Sequence, residues 1–178
     1  MKLAVASGKG GTGKTTIATN LAYSLSQSGR KVLYMDCDVE EPNGHLFLQP
    51  EITGRKEVFT PVPLVDESRC SGCGLCAQIC QYSAIIYLAR KVVVFPELCH
   101  ACGGCMRVCP EQAICEQGKA IGIVESGNSN GVLFAHGTLN IGQAMSPPLI
   151  REVKKHWIQD GITIVDAPPG TSCPVITA

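Results

Sequence analysis

Leu3-Ala-Val-Ala-Ser-Gly8-Lys-Gly-Gly-Thr-Gly-Lys-Thr15 opens the chain and decides its architecture. The apolar run Leu3–Ala6 predicts a short strand, and the stretch from Thr16 to Ser28 predicts an amphipathic helix. Between them stands G-x-x-x-x-G-K-T, which carries meaning only when a strand precedes it and a helix follows. Gly8, Gly10, Gly11 and Gly13 let the backbone curl so that successive N–H groups face one phosphate. The helix N-terminus adds its partial positive charge. Lys14 is placed to bridge β- and γ-phosphates, and the Thr15 hydroxyl to ligate Mg2+. Gly8, Lys9, Gly10, Gly11, Thr12, Gly13, Lys14, Thr15 and Thr16 are therefore candidate nucleotide-binding residues, with ATP or ADP and Mg2+ as the implied ligands.

Working outward, Gly29-Arg30-Lys31 supplies a helix stop and cations near the C-terminal dipole. Val32-Leu-Tyr-Met35 then predicts a buried strand that delivers Asp36 and Asp38 at its tip. Carboxylates at the end of a parallel strand beside such a loop can hold magnesium or position a water. A second buried strand, Gly161–Val165, runs into Asp166, the position from which an aspartate holds magnesium through water. Pro168-Pro169-Gly170 makes a stiff turn able to offer the Gly170 N–H to a γ-phosphate.

The loop resembles the deviant Walker A motif of the MinD, ParA, Mrp and nitrogenase iron-protein ATPases. In that class an early lysine reaches phosphates on the partner subunit of a nucleotide-sandwiched dimer. The resemblance implies this role for Lys9 and an ATP-dependent dimer, either a homodimer or one with a paralogous subunit. On physical grounds alone Lys9 could instead serve its own loop or be a solvated charge. Asp36-Cys-Asp38 is similar to the switch I of the same class. That implies Asp38 as the catalytic residue orienting the attacking water, beside Lys9 and Lys14, and Asp36 as a magnesium-side helper. The Asp166–Thr171 segment is similar to the switch II of the Mrp branch.

Eight of the 11 cysteines fall in two copies of one spacing. Cys70-x-x-Cys73-x-x-Cys76-x-x-x-Cys80 is repeated 29 positions later by Cys99-x-x-Cys102-x-x-Cys105-x-x-x-Cys109, then Pro110. Gly74/Gly103, Ala84/Ala113 and Ile85/Ile114 repeat at the same offset. The spacing resembles that of bacterial two-cluster ferredoxins, in which the fourth cysteine of each run serves the other cluster. The resemblance implies two 4Fe-4S clusters. Cys70, Cys73, Cys76 and Cys109 would hold one, and Cys99, Cys102, Cys105 and Cys80 the other. Gln81 stands where the second copy has Pro110, which predicts a looser loop and no lost ligand. Zinc sites offer paired C-x-x-C hooks instead of such triplets. Disulfides are disfavoured because no signal peptide precedes the cysteines, and the chain reads as cytoplasmic. Cys37 and Cys115 are expected to be small buried hydrophobes, and Cys173 a structural cysteine. His100, between cluster ligands, is expected to tune the site.

The expected fold class is α/β: a parallel, doubly wound P-loop NTPase sheet, C-terminally incomplete, interrupted by a small bacterial-ferredoxin-like α+β insert. Residues 1–58 and 119–178 make the two parts of the ATPase domain, and residues 59–118 the insert. Pro61 and Pro63 mark the way in and Gly118 the way out. Val132–Ala135 predicts a strand, and Pro147–Trp157 a helix capped by Ser146. Lys+Arg and Asp+Glu are equal at 15 each, so no electrostatic pull toward nucleic acid is expected, and no run approaches a membrane span. Relatives of the resembled class continue past the position of Ala178 to complete the sheet and the adenine pocket, so an apolar edge covered by a partner is expected.

Taken together, the chain resembles MinD-superfamily ATPases that carry an inserted ferredoxin domain. The resemblance implies ATP hydrolysis that switches a dimer and gates electron transfer through two clusters to an unidentified redox partner. Alternatives are an iron–sulfur assembly or carrier protein and a redox-sensing regulator that binds ATP without useful turnover.

Overall fold

In the computed structural model, which describes residues 1–178, the chain runs β1 (Lys2–Val5), α1 (Lys14–Gln27), β2 (Val32–Asp36), α2 (Gly44–Leu48) and β3 (Glu51–Val65). There follow α3 (Leu75–Ile79), β4 (Ile85–Leu88), β5 (Lys91–Val94), α4 (Gly104–Arg107), β6 (Ile114–Ser129) and β7 (Val132–Leu139). α5 (Pro147–Val153), β8 (Ile162–Asp166) and α6 (Cys173–Thr177) complete it. The larger sheet has the order β1-β8-β2-β7-β6-β3, and β4 pairs with β5 in a separate two-stranded ribbon.

The chain divides into two compact units: Met1–Val58 with Ile121–Asn140 and Ser146–Ala178, and Phe59–Ala120 with Ile141–Met145. In the first unit β2 is buried along its whole length, so both of its faces must be covered. Val32 and Tyr34 pack with Ala18 and Ala22 of α1, while Leu33 and Met35 pack with Leu149, Ile150 and Val153 of α5. Alternate residues of one strand thus serve opposite layers, as the pleat demands. Alanines at positions 18 and 22, one turn apart, let α1 lie close on the sheet.

β1, β8, β2 and β7 are mutually parallel, but β6 is antiparallel to β7, so the sheet is mixed and not parallel throughout. The reversal is made by Asn130-Gly131, both at positive φ (48° and 84°), between the paired Ser129 and Val132. Asn-Gly is the strongest two-residue hairpin signal in the chain, because a type I′ turn needs φ > 0 at both positions. Pro61, Pro63 and Gly118, expected to mark the way into and out of the insert, lie within β3 and β6, strands of 15 and 16 residues; the long segment of the second unit is Phe59–Ala120. Prolines two apart point their missing N–H to the same side of a strand, where no ladder bond is required. The predicted helix from Pro147 is α-helical only to Val153 and tightens into a 3-10 turn over Lys154–His156. Ser146 occupies its N-cap position without capping it; the hydroxyl donates to Glu40 Oε1 at 3.0 Å. No helix is long and apolar enough to cross a membrane.

In the second unit, Cys76, Ile85 and Ile114 form the centre of a small core joined by Val65, Val92, Val94 and Met106. The two cysteine repeats build similar local structures. Gly74 and Gly103, both left-handed, start the short helices α3 and α4.

Gly127 of β6 lies where a Cβ would collide with the Glu51 carbonyl, backbone that cannot swing aside. Gly127→Ala should therefore lower unfolding stability by about 1–3 kcal/mol, the usual cost of overpacking, read from the midpoint of a urea titration.

Candidate functional site

At the C-terminal ends of β1, β2 and β8 the predicted loop closes against the two strand-end aspartates. Gly11 and Gly13 sit at φ +71° and +86°, which only glycine adopts without strain. At Gly8, Gly10, Gly11 and Gly13 an added Cβ would meet nothing within 4 Å, and residues 8–13 are all exposed. Ser7 Oγ donates to the Lys9 carbonyl at 2.6 Å and accepts from Thr12 Oγ1 at 2.9 Å, pinning the loop from inside. Lys14 is buried at the start of α1, whereas Lys9 stands exposed. Thr15 is half-buried, and Thr16 is exposed with its carbonyl taken by Asn20.

Asp36 and Asp166 are partners in register on neighbouring strands and are both fully buried. Burial pushes Asp36 up to about 7 despite N–H bonds from Gly44 and Asp38, with Asp166 adding to the rise. It pushes Asp38 up to about 6; Lys14 opposes this, and Asp166, Glu40 and Glu41 reinforce it. It raises Asp166 as well, opposed by the Thr15 hydroxyl, the Tyr34 phenol and Lys14. Asp166 Oδ1 is buried without a hydrogen-bond partner. Asp38 and Asp166 share one ammonium, Lys14, and the spare Asp166 oxygen suits a divalent cation whose other ligands come from a polyphosphate. The residues present fit magnesium and nucleotide.

Two expected ligand groups are engaged within the protein. Asp36, expected on the magnesium side, uses Oδ1 to accept the Asp38 N–H at 3.1 Å and Oδ2 to accept the Gly44 N–H at 2.9 Å. It ties both ends of the switch I loop and is an organiser of that loop. The Gly170 N–H, expected free for a phosphate, donates to the Ser7 carbonyl at 3.0 Å and so joins switch II to the glycine-rich loop. Tyr34 was not singled out by sequence. Its hydroxyl donates to Asp166 Oδ2 at 3.0 Å from a fully buried ring stacked on Phe134. A tyrosine inside an otherwise aliphatic strand, two residues before the aspartate, was the available signal.

The eight repeat cysteines gather into two sets. A cavity of about 80 Å³ is lined by Cys80, Cys99, Cys102 and Cys105, with Ile79, Tyr82 and His100 among its walls. A smaller one of about 10 Å³ is lined by Cys70, Cys73, Cys76 and Cys109, with Val65, Val92 and Ile114. Each set takes three thiols from one repeat and the fourth from the other. The N–H of Ala101 reaches Cys99 Sγ at 3.4 Å, and that of Ala113 reaches Cys109 Sγ at 3.3 Å. Burial pushes the Cys76 and Cys105 thiols upward, and neighbouring cysteines push the same way. Such sets become thiolates only around a positive core, and the apolar walls and sulfur-directed N–H groups fit an iron–sulfur cofactor. No group of three or more His, Cys, Asp or Glu is placed to hold a single metal ion. His100 stacks on Tyr82 with ring centroids 3.5 Å apart. Of the other cysteines, Cys37 is buried as expected, but Cys115 and Cys173 are exposed. Cys115 sits on an outward position of β6, and Cys173 begins α6.

A strand–loop–helix cradle with a buried lysine and aspartates ending neighbouring parallel strands defines the P-loop class of nucleotide-binding domains. Within it, the chain belongs to the CobQ/CobB/MinD/ParA nucleotide binding domain family, whose model matches residues 3–152. It is 33% identical over 187 residues to one uncharacterized protein of Methanocaldococcus jannaschii, covering 100% of this chain and 65% of that protein. It is 36% identical over 180 residues to a second from the same organism, covering 99% and 63%. The chain thus spans just under two thirds of the length of these curated relatives. Over 41 residues, 23% of this chain and 11% of the other, it is 58% identical to the iron-sulfur cluster carrier protein of Aquifex aeolicus. The fold is like that of the septum site-determining protein MinD of Pyrococcus horikoshii OT3 in complex with Mg-ADP. The TM-score is 0.50 at 20% identity, covering 99% of this chain and 52% of that one.

Tyr34→Phe keeps the packing but leaves Asp166 Oδ2 without its donor. Such a loss costs about 1–3 kcal/mol, so urea unfolding should show that drop without nucleotide and a smaller one with Mg-ADP.

Proposed function

We propose that the chain is part of an ATP-hydrolysing iron–sulfur protein in which nucleotide binding switches a dimer and so controls electron transfer through two 4Fe-4S clusters. The observation that carries the redox half is the pair of four-cysteine cavities, each completed by the opposite repeat. The nucleotide half is carried by family membership together with buried Lys14 and the unpartnered Asp166 oxygen.

In this reading the glycine-rich loop and Lys14 bind the phosphates, while Thr15 and Asp166 hold magnesium, Asp166 through water. Asp38 orients the attacking water. Burial and its acidic neighbours hold the Asp38 carboxyl up near 6, within reach of the proton transfer that hydrolysis requires. Switch II must give up the Gly170–Ser7 bond before its N–H can meet a phosphate. That makes the loop responsive to the nucleotide. Lys9, exposed on the loop, is free to reach a second subunit. The clusters, when bound, supply one-electron chemistry; the chain's residues hold them, shield them with Val65, Val92 and Ile79, and direct N–H groups at the sulfurs.

A second reading, an iron–sulfur assembly or carrier protein, is favoured by the local identity to carrier proteins. Weighing against it, both thiol sets are complete within one chain, so neither has an open position from which a cluster would pass to an acceptor.

Anaerobically purified protein should contain about eight irons per chain. Cys109→Ser should abolish the cluster of the first three cysteines of the first repeat while sparing the other, seen as loss of one of two EPR signals after dithionite reduction. Retention of both clusters beside an apo-ferredoxin acceptor supports the redox reading; transfer supports the carrier. Asp38→Asn should bind MgATP yet hydrolyse it at least about 10²-fold more slowly, whereas Lys14→Ala should lose nucleotide binding in calorimetry.

A further inference from the structure

Beside the loop after β2, two histidines that no motif claims meet edge to face, His136 buried and His45 half-buried. Register places Asp166, Asp36, His136 and Glu125 in one row across β8, β2, β7 and β6. His136 is 5% exposed, and its Nε2 lies 3.0 Å from Glu125 Oε2. The other oxygen of Glu125 lies 3.7 Å from Arg55 Nε on β3. His45, in the first turn of α2, sets its ring edge-on to His136 with centroids 5.4 Å apart. The Gly44 N–H just before it is one of the two that Asp36 accepts.

The protonation pattern follows from these contacts. Burial holds the His136 imidazole below its ordinary range, with Glu125 opposing, which favours the neutral ring. A neutral ring facing a carboxylate through Nε2 carries its proton there, which leaves a lone pair on Nδ1. Both that Nδ1 and the Nδ1 of His45 are buried without a partner. A small movement of α2 that brought a His45 Nδ1–H onto the His136 Nδ1 would satisfy both atoms at once. Leaving buried polar atoms unpaired is unfavourable, so a bonded arrangement would be gained if α2 moved.

We infer that His45 and His136 are positioning residues for switch I, whose mutual hydrogen bond closes when nucleotide occupies the neighbouring site. The link runs through Asp36, which holds the Asp38 and Gly44 N–H groups together. Any displacement of Asp38 toward a bound magnesium nucleotide therefore reaches His45 through one turn of backbone. On the far side, His136 is held by Glu125, and Glu125 faces Arg55. β6 and β3, which carry that pair, are the strands that continue into the cysteine repeats. Nucleotide can bias such an element only by binding one position better than the other, and a contact with two discrete arrangements meets that condition. The inference rests on the nucleotide reading above and needs no cluster.

The test is a 15N-histidine NMR spectrum of the full chain, with and without Mg-ADP and a slowly hydrolysed MgATP analogue, after calorimetry has established binding. In the wild type, saturation with nucleotide should move the Nδ1 resonances of both His45 and His136 in the direction of hydrogen bonding. His45→Phe keeps the ring contact and removes the donor. It should leave the His136 resonance unmoved by nucleotide and weaken nucleotide binding, as the coupling requires. Hydrogen exchange along residues 121–129 should slow with nucleotide in the wild type and not in the variant. A His136 signal that ignores saturating nucleotide, or a His45→Phe protein that responds as the wild type does, overturns the inference and leaves the nucleotide reading standing. Absence of any nucleotide binding removes that reading and the inference with it.

Discussion

Two parallel strands side by side, β2 and β8, each end in a fully buried aspartate, and the two face each other in register. Like charges so placed are unfavourable unless other groups hold them. Asp36 is held by two backbone N–H groups, and Asp166 by the Tyr34 hydroxyl with Thr15 and Lys14 nearby. Those partners come from the helix after the glycine-rich loop, from the strand between the layers and from the loop that follows β2. The placement of switch I, switch II and the loop thus follows from neutralising one pair of carboxylates. The pair is incompletely neutralised, as the unpartnered Asp166 oxygen and the raised Asp36 carboxyl both show. A divalent cation bound beside Asp166 would complete that balance and stabilise this corner.

Much of this was legible because local pattern and tertiary role agree. Leu3–Ala6, Val32–Met35 and Gly161–Val165 are apolar runs, each followed by its functional residues; the strands found are Lys2–Val5, Val32–Asp36 and Ile162–Asp166. Where the reading failed, a local signal was outvoted or overlooked. Pro61, Pro63 and Gly118 stand near the ends of the Phe59–Ala120 segment, but they punctuate strands and not loops: β3 is an edge strand, where proline is tolerated, and Gly118 lies against the ring of Phe59. Asn130-Gly131 was a genuine hairpin signal, and reading it would have turned an all-parallel sheet into the mixed one found. Asp36 illustrates a different limit: composition shows a carboxylate, but only the fold shows that both of its oxygens are taken.

The cysteine spacing carried long-range information that ordinary motifs do not. A repeat offset of 29 residues places equivalent thiols in equivalent turns. The two left-handed glycines, Gly74 and Gly103, then aim Cys76 and Cys105 from the first turns of their helices. By contrast, His45 and His136 are far apart in sequence and belong to no pattern. They meet because α2 returns over β2 and β7 on the face that also stacks Tyr34 on Phe134. Such pairs are products of register, and register lies beyond single-sequence reading.

The same register limits how β6 can move. β3 and β6 are long strands of 15 and 16 residues. A strand transmits a change of direction or register along its length, because slipping one residue would turn every side chain to the opposite face. Gly127, packed on the Glu51 backbone, and Gly122, packed on the Thr138 carbonyl, leave β6 little freedom to slide where it meets its neighbours. Held in that way within the first unit, β6 keeps Glu125 opposite His136 and so preserves the row that runs through Asp36 to Asp166.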